Sequence, residues 1–82
     1  MLLTITLYNK ATNYRGFIMQ PHQQRVVDEK TELDEKATAL SNFIGTSPIF
    51  ETLDPAEQAR LKEQHDVMWQ YSEILGKRIS AF

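Results

Sequence analysis

Two apolar stripes, separated by a break rich in Gly, Pro and Thr, constrain this 82-residue chain more than any other feature. In the first, Val26, Lys30, Leu33, Ala37, Leu40 and Ile44 recur at steps of four and three. In the second, Leu61, His65, Met68, Ser72, Leu75, Ile79 and Phe82 keep the same spacing. A helix turns once in about 3.6 residues, so each set lies on one face of a helix. The intervening segment GTSPIFETLD, residues 45–54, forms a short connection that lets the two helices lie against each other. The predicted fold is therefore all-α, an antiparallel helical hairpin. Its seam is apolar except at Lys30, His65 and Ser72.

Composition narrows what such a hairpin can do. The chain has no cysteine, which excludes disulfides and thiolate metal sites and suits a reducing cytoplasm, the expected location. His22 and His65 are far apart and share no ligand spacing, so neither a metal nor a cofactor is expected. The formal net charge is −2, and Asp28, Glu29, Glu32, Asp34 and Glu35 make the first helix locally acidic. Duplex nucleic acid is a poor partner for that surface, although a local pocket for a small anion needs only a few donors. No apolar run approaches the ~20 residues of a membrane span, and the first residues lack the basic region, apolar run and cleavage site of a secretory signal.

Along the chain, Leu3, Ile5 and Leu7 alternate with Thr4, Thr6 and Tyr8, which reads as a short strand over residues 1–8. Residues 9–18 read as a linker, with no second strand evident in the rest of the chain. The expected division is an extended or strand-like segment over 1–18 and a helical hairpin over 19–82, with Met19 a second candidate start. The first helix should open near Gln20–Pro21, because proline suits the first helical position. Gly45 fits a left-handed cap at its end. Ser47–Pro48 should open one short turn through Thr52, with Ile49, Phe50 and Leu53 folded over the end of the hairpin. The second helix has a clear start in Asp54, Pro55 and Glu57, a capping-box arrangement. Lys77 and Arg78 in its last turns complement the helix dipole.

An antiparallel hairpin places Leu40 near Leu61, Leu33 near Met68 and Val26 near Leu75. The second helix then carries more apolar surface than one partner covers: Val67, Tyr71 and Ile74 form a further stripe, with Trp69 on the other flank. Such patches mark interaction surfaces. Self-association into an oligomeric helix bundle, with two-fold symmetry, covers the stripe; so does residues 1–18 folding back over it.

The candidate ligand residues are the polar ones on or beside the seam. Lys30 falls near Tyr71 and Ser72, where it can snorkel, set register, or bind an anion with Tyr71 and Ser72 as further donors. His65 reads as a half-buried seam histidine or, alternatively, a ligand. Arg25 and Arg78 lie near the open end of the hairpin and can bind phosphate. Trp69 and Tyr71 can stack on a base or pack on another subunit. No phosphate loop, nucleophile elbow or HExxH motif occurs, and no reacting group has an evident partner, so an enzyme is not expected.

From Pro21 to Phe82 the chain resembles a large family of small phage and prophage proteins tied to a crAss-like phage gene. The resemblance rests on RVVDEKTELDEK, on the FI that closes the first helix, and on MWQYSEILGKRI. It implies a phage or prophage origin and a non-structural accessory role. Some small helical phage proteins of similar design are oligomeric sponges that bind cyclic-nucleotide or related signals of bacterial antiviral immunity. The predicted oligomer and the Lys30, Tyr71 and Ser72 cluster extend that expectation here. The alternatives are a module that binds and blocks a host protein through Val67, Trp69, Tyr71 and Ile74, or a purely structural helical oligomer.

Overall fold

A computed structural model describes the backbone of residues 13–14 and 17–82 and the side chains from residue 19 onward. Two helices of 26 residues, α1 (Pro21–Thr46) and α2 (Pro55–Ser80), dominate it. A single 3-10 turn over Phe50–Thr52 lies between them. Lys30 reaches Ser72 while Ser41, further along α1, meets Trp69, earlier in α2, so the helices run antiparallel. The molecule measures 50 × 22 × 15 Å. Its least dimension is little more than one helix with its side chains, so among the described residues the two helices lie side by side in a single layer.

The strand expected over residues 1–8 lies outside the described residues. Within the expected linker, β1 (Asn13–Tyr14) pairs antiparallel with β2 (Phe17–Ile18), Asn13 opposite Ile18 and Tyr14 opposite Phe17. Tyr14, Phe17 and Ile18 are β-prone, but two-residue strands are too short to show an alternation.

α1 opens as expected. Pro21 occupies the first position, and the Gln23 side-chain oxygen accepts the Gln20 backbone N–H at 2.8 Å. Its end differs from expectation. Gly45 is inside the helix rather than in a left-handed cap, and α1 continues to Thr46. The stop comes from Pro48: the residue before a proline is disfavoured in the helical region, and Ser47 is extended at ψ 127°. Ser47 still donates its N–H to the Phe43 carbonyl at 3.1 Å, which closes the last turn.

The connection is built around Phe50. Its ring is buried and meets Phe43 edge-on, centroids 6.0 Å apart, while the Lys62 ammonium lies 5.8 Å from its centroid. Leu53 is half-buried, but Ile49 points to solvent rather than over the end of the hairpin. Asp54 caps α2 by accepting the Ala56 N–H at 3.1 Å. The expected reciprocal bond from Glu57 does not form. Glu57 Oε1 instead accepts from Arg60 Nε and Nη2, each at 2.9 Å, a charged partner one turn away.

Val26, Ala37 and Leu75 form the buried line between the helices, with Met19 and Phe50 buried towards its two ends. Leu33, Leu40, Ile44, Leu61, Met68 and Ile79 flank it, half-buried. Both predicted stripes therefore face the seam. No helix among the described residues is long and apolar enough to cross a membrane.

Candidate binding site and the bare face of the second helix

The polar interruption of the seam is a closed triangle. Lys30 Nζ donates to Asp34 Oδ2 at 2.9 Å and to Ser72 Oγ at 2.8 Å. Ser72 Oγ in turn donates to Asp34 Oδ1. Ser72 is 3% exposed, the one buried polar residue among those described, and both of its hydrogen-bonding roles are used. Lys30 and Asp34 keep about a third of their side-chain surface in solvent. The lysine thus buries its stem and presents its head at the seam edge; its Cε lies 3.6 Å from where a Cβ on Gly76 would sit. Burial pushes the Asp34 carboxyl up, but hydrogen bonds from Lys30 and Ser72 and the lysine charge outweigh it and hold the group below its ordinary value.

Asp34 is the member that sequence reasoning missed. It stood among the acids of α1, although its position four residues after Lys30 is the spacing of a same-face pair. Beside the triangle an open groove of about 470 Å³ is lined by Thr31, Asp34, Glu35 and Thr38. Two carboxylates line that groove, so its local charge favours a hydroxyl-rich or cationic neighbour over an anion.

Of the other candidate ligand residues, Tyr71, Arg25 and Arg78 are exposed. Among the described residues no hydrogen bond joins Tyr71 to the triangle, whose bonds are internal. His65 is half-buried one turn from Trp69. The Trp69 N–H lies 3.2 Å from His65 Nε2 and 3.3 Å from Ser41 Oγ, and His65 Nδ1 lies 3.0 Å from Asp66 Oδ1. An indole nitrogen only donates, so Nε2 accepts and Nδ1 carries the proton towards Asp66. His65 therefore positions Trp69 against α1. Among the described residues no group of three or more His, Cys, Asp or Glu side chains converges as a metal site would require.

The opposite side of α2 is bare. Val67 and Ile74 are each 54% exposed, and Tyr71 and Trp69 are exposed beside them. α1 offers no comparable patch: among the described residues the only other large exposed apolar side chain is Ile49, in the connection. Neither a curated protein nor a solved structure matches the chain. A family model described as Sequestin does match, over residues 20–81, the hairpin and its capping residue. The chain belongs to the Sequestin family.

Proposed function

We propose that this protein is a non-catalytic sequestering module, encoded by a phage or prophage, whose hairpins assemble and hold a nucleotide signal of antiviral immunity in the host cytoplasm. The observation that carries the proposal is the bare face of α2, where aromatic and aliphatic side chains stand exposed with nothing on the chain's own helices to cover them. Membership of a family whose name points to sequestration supports it. Tyr71 and Trp69 offer ring faces to a base, and Arg25 and Arg78 are exposed donors for phosphate. His65 serves by holding Trp69. Lys30 contributes at the seam edge, where an anion has to share it with Asp34, and Ser72 acts through its bond to Lys30.

Titration calorimetry with a panel of cyclic and linear oligonucleotides tests this. Micromolar or tighter binding, weakened by Arg78→Ala and Tyr71→Ala at unchanged helicity, is the expected result. Affinities no better than about 1 mM for every compound would sink the proposal.

A second reading has its own support. Val67 and Ile74 are aliphatic and suit a protein surface better than a base. A module that blocks a host protein would recover a stoichiometric partner from host lysate, and Ile74→Asp would abolish the recovery. If only the protein itself is recovered, that reading is lost.

A further inference from the structure

The exposed stripe of α2 carries charges at both ends, and their order dictates what it pairs with. Glu63, Val67, Gln70, Ile74 and Arg78 follow one another at steps of three and four on the side of α2 away from Ser72 and Leu75, and all five are exposed. Tyr71 and Lys77 flank them, also exposed. The apolar centre is thus bounded by an acid towards the start of the helix and by two bases towards its end. Neither Glu63 nor Arg78 makes an ion pair with another described residue.

We propose that this stripe docks on the same stripe of a second copy, with the two α2 helices antiparallel about a two-fold axis that passes between Gln70 and Tyr71. In that arrangement Val67 of each copy faces Ile74 of the other, and Glu63 of each faces Arg78 of the other. Each contact occurs twice, as symmetry requires. A parallel pairing sets Glu63 against Glu63 and Arg78 against Arg78, so charge selects the antiparallel form. The stripe is complementary to itself reversed, which a surface made for an unrelated protein has no reason to be. The proposal rests on the assembly invoked under the sequestration reading and specifies how its first contact is made. It leaves Trp69, on the other flank of α2, and Arg25, on α1, outside the interface and free for a ligand, while Arg78 divides its donors between Glu63 of the other copy and a phosphate.

Sedimentation equilibrium of the full chain tests the pairing, with circular dichroism as a check that each variant keeps its helices. The wild-type chain is expected to form a dimer or a larger even-numbered assembly. Glu63→Arg alone or Arg78→Glu alone places like charges at both symmetric contacts and weakens association about tenfold. The double variant Glu63→Arg/Arg78→Glu restores it. Because the chain has no cysteine, oxidative cross-linking reads the direction. A mixture of Val67→Cys and Ile74→Cys chains should join, whereas Val67→Cys alone should not. A monomer at ~0.1 mM, a double variant no tighter than the single ones, or self-joined Val67→Cys chains would each overturn the pairing. Oligonucleotide titration of the same samples separates this from the sequestration reading: a monomer that binds them overturns the pairing alone, and a dimer that binds none overturns sequestration alone.

Discussion

Leu75 and Ile74 are neighbours in α2, yet one has no exposed surface and the other has 54% of its own. The contrast extends to the two sides of the helix. On the inner side, Leu75 is buried, Leu61, Met68 and Ile79 are half-buried, and the polar intrusion at Lys30, Asp34 and Ser72 satisfies itself. On the outer side, apolar residues of the same size have no counterpart. The inner side explains why the chain folds as a hairpin, and the outer side is the surface on which the proposed pairing rests. Residues that look equivalent in composition therefore differ in what they contribute to folding: Leu75 is part of the core and Ile74 is not.

The strongest way to break that contrast is to truncate both neighbours. Leu75→Ala should lower the unfolding free energy by about 3 kcal/mol, since it empties a fully buried site in a thin core. Ile74→Ala should change the folding of a single hairpin by less than about 0.5 kcal/mol while weakening association. Urea denaturation at two protein concentrations reads both effects. Equal losses at high dilution would erase the distinction between the two sides.

Next in size is the triangle. Asp34→Ala leaves Lys30 at the seam with only Ser72, and should cost about 1 kcal/mol, a value kept small because both charged groups reach solvent. Combining Asp34→Leu with Lys30→Met and Ser72→Ala should recover most of that loss, because neither a charge nor the buried hydroxyl is then left without a partner. If the triple variant is worse than the single one, the triangle does more than satisfy itself.

The same cluster sets a pH dependence. Asp34 is held below its ordinary value in the folded chain, so the folded state favours its ionised form. Its contribution is present above the unfolded carboxylate range, near about pH 4, and is lost as pH falls through the depressed folded value. Asp34→Asn should flatten that part of the acid limb in a series of thermal melts. An unchanged limb would place the acid sensitivity elsewhere. The last expected change is a gain: Gly45→Ala should stabilise α1 by about 0.5–1 kcal/mol, because the site is helical and a Cβ there meets nothing within 4 Å.

That last position shows where the sequence was legible and where it was not. The helix faces, the Asp54 cap and the bare stripe all follow from spacing, because a periodic pattern is a statement about which side of a helix a residue occupies. Gly45 misled because glycine permits a left-handed cap without requiring one, and Pro48 decided the matter by constraining Ser47. Glu57 misled because a capping box competes with any nearby cation, here Arg60. The proximity of Lys30 to Ser72 followed from the hairpin register. The role of Asp34 did not, since five acids crowd α1 and only geometry selects the one that turns inward. Whether Arg25, Tyr71 and Arg78 hold a ligand is not a periodic property at all, and spacing is silent on it.

The packed corner formed by Phe43 and Phe50 has a kinetic consequence. It joins residues close in sequence, and every helix-to-helix contact beyond it closes a progressively longer loop. The expected route is nucleation at the corner followed by zipping towards the termini, in the fast range typical of folds with local contacts. Stopped-flow refolding would then find Phe50→Ala slowing the forward step and Leu75→Ala mainly hastening the reverse one. A chain that folds this way completes its corner first and its open end last, so Val26, Ile79 and the exposed arginines beside them belong to the part of the molecule that opens most often.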